Sequence, residues 1–91
     1  MKCKCSYVFG QVTGEIDFEG KVNLYDACDL ISDDLEELVA KTHEIEVSEL
    51  KTVIDLVTPE RKLFFDGTDV AMFEIWYKKR MMLFGKVKEV K

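Results

Sequence analysis

Proline, histidine and tryptophan each occur once in the 91 residues, and glycine only five times. That scarcity excludes collagen-like chains and low-complexity disordered ones. No run approaches the roughly 18 apolar residues of a membrane-spanning helix. The start, Met1-Lys2-Cys3-Lys4-Cys5-Ser6, carries charge with no apolar stretch behind it long enough for a signal peptide. The three cysteines, Cys3, Cys5 and Cys28, are odd in number and argue against a disulfide framework. These absences predict a cytoplasmic domain that stays off the membrane.

Apolar residues make up 47% of the chain, enough for one core. At this length a single domain, 1–91, buries roughly 60–65% of the surface its unfolded chain would expose. Cys3, Cys5, Cys28 and His43 are four conceivable zinc ligands. Zinc sites bring ligands in paired knuckles, however, and C-x-C with two scattered partners fits that pattern poorly. The expectation is therefore free, partly buried thiols and no metal or cofactor. Cys3 and Cys5 would share one face of an extended strand, where neither is placed to bridge the other.

Residues 4–12 are rich in aromatic and β-branched types, the composition of a strand, with Thr13-Gly14 as its punctuation. Ile16, Phe18, Val22 and Leu24 then alternate with polar residues. A strand around 15–19 is expected to pair back on 4–12. Gly20 marks either a bulge or close approach in one strand over 15–24 or, with Glu19, the turn of a short hairpin. Asn23 can cap a helix in which Leu24, Ala27, Cys28 and Ile31 fall at i, i+3, i+4 and i+7. Ser32 is a second candidate cap, so 24–41 is either one kinked helix or two short ones. Within it 33–41 is the clearest segment, its first turns loaded with Asp33, Asp34, Glu36 and Glu37.

Glu44 to Val47 alternate like an edge strand, while 48–57 fits helix and strand spacing equally. Thr58-Pro59 breaks either pattern. Leu63-Phe64-Phe65 before Asp66-Gly67 reads as a strand entering a tight turn. Val70 to Tyr77 is apolar on both parities save Glu74, as a central strand with both faces largely covered would be. Lys78-Lys79-Arg80 connects it to a last strand, 81–90. The expected fold is α+β: an antiparallel sheet of about five strands with one to three helices packed on one face. Val8-Phe9-Gly10-Gln11-Val12 and Leu83-Phe84-Gly85-Lys86-Val87 echo each other. They read as two strands that pair and tie the ends together, each glycine allowing a close approach.

Enzyme signatures are not visible: no G-x-G-x-x-G, P-loop, G-x-S-x-G or H-E-x-x-H occurs. His43 falls at a helix exit, where a dipole partner is the ordinary reading. Asp66-Gly67-Thr68-Asp69 lacks the rest of a calcium loop and its terminal glutamate. The expectation is a protein that is not an enzyme.

Charge is distributed unevenly. Residues 26–49 hold nine carboxylates against Lys41 alone, and 78–91 hold six bases against Glu89, although the whole chain is only −5. A solvated face is the ordinary explanation for either run. The functional reading is a small binding module, of the inhibitor, adaptor or immunity type. It would dock a basic protein through Asp29, Asp33, Asp34, Glu36 and Glu37, acting as a phosphate mimic if that partner grips nucleic acid. A second reading is single-stranded nucleic-acid binding through strands 76–91, where Lys78, Lys79, Arg80, Lys86 and Lys88 mix with Trp76, Tyr77 and Phe84. A third is a homo-oligomer joined by its acidic and basic ends, with Met72, Met81 and Met82 as soft contact surface.

Overall fold

The computed structural model describes residues 1–56 and 70–90. Strand β1 (Lys2–Phe9) runs into β2 (Val12–Glu19) and then helix α1 (Leu24–His43). A 3-10 turn (Val47–Glu49) leads into β3 (Leu50–Leu56). Strands β4 (Val70–Tyr77) and β5 (Arg80–Glu89) complete the sheet. The five strands lie in the order β2-β1-β5-β4-β3, every neighbouring pair antiparallel. With α1 packed on one face, this is the α+β architecture expected from the pattern.

Period-two alternation decides which side chains face the helix. Cys3 and Cys5 on β1, Leu83 and Val87 on β5, and Ala71, Phe73 and Ile75 on β4 are all buried. They meet Ala27, Cys28, Ile31, Leu35 and Val39 of α1 in one core. Phe73 stands opposite Gly85, and a Cβ built on Gly85 would sit 2.2 Å from the Phe73 ring. Only glycine lets that ring lie flat on β5. The two echoing segments do pair, Val8 opposite Phe84 and Phe9 opposite Leu83. The close approach belongs to Gly85 alone, because Gly10 has nothing within reach of a Cβ.

Gly10 makes the β1–β2 turn instead. It adopts φ +63 between the closing pair Phe9 and Val12, which costs glycine nothing. Thr13-Gly14, expected to punctuate, lies inside β2 opposite Val8 and Tyr7. Gly20 is the close approach among the expected alternatives, not a bulge or a hairpin turn: a Cβ there would lie 2.9 Å from that of Ala27 and 3.1 Å from the Cys3 sulfur. β2 has ended at Glu19, and Gly20 accepts the N-terminal ammonium at 2.9 Å while its N–H donates to the Met1 carbonyl.

Helix α1 is continuous. Asn23 caps it as expected, its Oδ1 accepting the Asp26 N–H at 2.9 Å. Ser32 is not a cap: it is buried, and its hydroxyl donates to the Asp29 carbonyl at 2.9 Å, so the chain has no need to break there. The helix ends where Glu44 turns left-handed at φ 55. The expected edge strand at 44–47 is therefore absent, replaced by this cap and by the 3-10 turn. In that turn the Glu46 N–H donates to the Glu49 carboxylate at 3.2 Å. Within the ambiguous 48–57, residues Leu50–Leu56 form strand β3, held by pairing Thr52 with Ile75 and Ile54 with Phe73.

β4 is interior to the sheet, but only one of its faces lies under the helix. On the other face Val70 is buried and Met72, Glu74 and Trp76 are half-buried, so both faces are largely covered, as expected. Lys78 and Lys79 form the turn to β5, with Lys78 at φ 55 and its ammonium 5.2 Å from the Tyr77 ring centre. The break at Thr58-Pro59, the strand at Leu63-Phe65, the turn at Asp66-Gly67 and the possible calcium loop to Asp69 lie outside the described residues. No helix among the described residues is long and apolar enough to cross a membrane.

Candidate functional site

Because α1 starts at Leu24, its acidic residues sit differently from a helix starting at 33. Only Asp26 lies in the first turn, where the dipole favours a carboxylate. Asp29, Asp33, Asp34 and Glu37 occupy the middle and second half, where the dipole offers them nothing. At 100° per residue they fall on the arc opposite the buried stripe of Ala27, Ile31, Leu35 and Val39, and all are exposed. Asp26, Asp29, Asp33 and Glu37 form a line about 16 Å long at three- and four-residue steps.

Like charges at these spacings destabilise a helix by about 0.2–0.5 kcal/mol each. Lys41, four residues beyond Glu37, is the one lysine or arginine within α1 itself that can offset them. No Lys or Arg among the described residues makes an ion pair with Asp26, Asp29, Asp33, Asp34 or Glu37. Tyr25, Leu30 and Leu38 are exposed among these acids and add apolar contact surface.

Glu36 separates from this group. It is half-buried toward β3, where its carboxylate accepts a short hydrogen bond from the Thr52 hydroxyl. Its role is to fasten the helix to the sheet. Glu44, Glu46 and Glu49 belong to the cap and the 3-10 turn, away from the outer line. Of the five residues singled out from sequence, four form the exposed face and one does not.

The basic set is divided more sharply. Lys78 and Lys79 are in the turn and Arg80 opens β5 opposite Tyr77. Lys86 lies six residues further along the strand, about 20 Å away. Lys86 and Lys88 instead share the helix-free face of the sheet with Lys4 of β1 and Lys51 of β3. Lys4 and Lys51 were missed in the sequence. The alternation Lys2-Cys3-Lys4-Cys5 carries the signal for Lys4, once Cys3 and Cys5 are recognised as inward-facing.

Phe84, Met72 and Val8 lie on this same face. With Ser6 and Lys86 they floor a concavity of about 710 Å³, bounded on one side by Glu15 of β2. Lys4 reaches Glu15 at 3.7 Å, and the Trp76 indole N–H points at Glu74 at 3.4 Å.

Cys3, Cys5 and Cys28 are free and buried. Burial pushes the Cys5 thiol up to about 11 and the Cys28 thiol up to about 12; Cys3 is raised as well, again chiefly by burial. All three are protonated at neutral pH and are poor nucleophiles and ligands. His43 cannot join them: it lies at the far end of α1 from Cys28, about 22 Å along the axis, with its ring 5.6 Å from that of Phe9. Among the described residues no cluster of three or more His, Cys, Asp or Glu side chains is arranged to hold a metal ion. No protein family, curated protein or solved structure matches this chain.

Proposed function

We propose that this chain is a non-enzymatic protein-binding module that docks a basic partner through the outer face of α1. The contacts are Asp29, Asp33, Asp34 and Glu37, extended by Asp26, with Leu30 and Tyr25 as the apolar component. One observation carries the reading. The carboxylates are aligned at i, i+3 and i, i+4, beyond reach of the N-terminal dipole, so the free protein bears a repulsion that a basic partner relieves.

Negative charges repeat about 6 Å apart along the helix, a track suited to a protein surface that otherwise holds phosphates. An inhibitor, adaptor or immunity protein acts in this way. Free thiols accord with a reducing, cytoplasmic setting.

Affinity capture with the purified chain, followed by titration of the captured protein, tests the proposal. Reversing Asp29, Asp33, Asp34 and Glu37 to lysine abolishes capture while circular dichroism shows the fold retained. Capture that survives the reversal rejects the helix as the working surface. Affinity for the partner also falls as salt is raised, because the contacts are charge pairs at an exposed face.

A further inference from the structure

β3 is an edge strand. It pairs with β4 on one side, and among the described residues nothing pairs with its other side. Its seven residues, Leu50–Leu56, run in unbroken register without proline, glycine or bulge. Such an edge offers a row of backbone donors and acceptors to another strand. Val53 and Leu56 stand 44% and 50% exposed along it.

The order of its side chains makes β3 complementary to itself. A twofold axis normal to the sheet keeps every side chain on its own face, so only residues of like parity can stand opposite each other. With the axis at Val53, the whole strand pairs. Lys51 of each copy then faces Asp55 of the other, Leu50 faces Leu56, and Thr52 faces Ile54. Opposite charges and apolar pairs across strands are both stabilising. Moving the axis to Thr52 or Ile54 shortens the pairing and sets Lys51 or Asp55 against Val53. Lys51 makes no ion pair among the described residues. Asp55 has an interaction within its own chain, and a carboxylate has acceptor positions enough to take the lysine as well.

The other edge of the sheet is built the opposite way. Glu15, Asp17 and Glu19 line one face of β2, and any self-pairing of more than five of its residues puts carboxylate opposite carboxylate. Self-recognition is therefore confined to β3.

We propose that two copies of this chain join β3 to β3, antiparallel about Val53, into one continuous sheet. About six to eight backbone hydrogen bonds close the seam, which is about 23 Å long. The Leu50–Leu56 pairs carry the apolar layer beneath the helices across it. The area covered is below about 1,200 Å², so the association is reversible, with a Kd on the order of 10–100 µM. The seam contains none of the residues proposed to dock a basic partner, and it is tested without that partner.

Sedimentation equilibrium of the full chain, from about 5 to 500 µM, should show monomer and dimer in exchange. Lys51→Glu and Asp55→Lys each set like charges opposite one another twice across the seam and should weaken self-association about tenfold or more. Both side chains are exposed, so circular dichroism should show both variants folded. Mixed in equal amounts, the two variants should associate with each other. The carboxylate introduced at 51 then faces the ammonium introduced at 55, while native Asp55 of one chain faces native Lys51 of the other. Misfolding cannot produce that recovery. Each copy bears −5, and both acidic helices come to the same side of the joined sheet, so the native dimer should be weaker at about 0.01 M salt than at about 0.15 M. A monomer at every concentration, self-association indifferent to both variants, or a mixture that fails to associate overturns the proposal. Tighter association at the lower salt overturns it too, because that is the mark of acidic helices meeting the basic β4–β5 turns of neighbouring molecules.

Discussion

Replacing Asp33 by lysine should make the protein more stable while destroying the proposed function, a combination that a misfolded variant cannot produce. Asp33 is exposed near the middle of α1, four residues after Asp29 and four before Glu37. Each of these pairs is repulsive by about 0.2–0.5 kcal/mol, and the substitution turns both into attractions of similar size. The change is worth about 1–2 kcal/mol, with a few tenths more because lysine is the better helix former. For a domain of this size 1 kcal/mol shifts the melting temperature by about 4–8 °C, so the expected rise is roughly 4–16 °C. Thermal melts by circular dichroism at low salt measure it. The native chain should also gain stability as salt is raised, since screening weakens the repulsion, and the variant should gain less. A melting temperature unchanged or lowered refutes the claim that α1 carries uncompensated repulsion. A raised melting temperature with partner capture intact refutes the assignment of the docking face.

Gly85→Ala places a methyl group 2.2 Å from the ring of Phe73, itself 1% exposed and unable to move aside, so urea titration should show a loss of about 3 kcal/mol, part of which Phe73→Leu restores. Asn23→Ala removes the side chain that caps α1 and should cost about 1 kcal/mol by the same measurement. The Cys5 and Cys28 thiols, pushed up to about 11 and about 12 from an ordinary 9.0, keep in the folded state protons that the unfolded chain releases. Stability is therefore full below about pH 9 and falls as pH rises toward 11–12; Cys28→Ala flattens that fall, and in the folded chain at pH 8 the thiols resist a thiol reagent that labels all three after unfolding.

What the sequence made legible was local, and what it hid was set by neighbours in space. The Asn23 cap and the stripe Leu24–Ala27–Cys28–Ile31 were readable because each depends on adjacent residues, whereas the long-range pairing of the two echoing segments was suggested only by their likeness. The stretch 48–57 was not, since Val53 and Ile54 satisfy either period. Strand β3 forms because Thr52 and Ile54 complete the edge beside Ile75 and Phe73. Ser32 looked like a break because its type favours caps, yet inside a buried helix face the hydroxyl finds the Asp29 carbonyl. The basic run 78–88 was grouped by proximity in the chain. A strand alternates its faces and advances about 3.3 Å per residue, which parts the turn lysines from Lys86 and Lys88 and brings Lys4 in from the other end of the sequence.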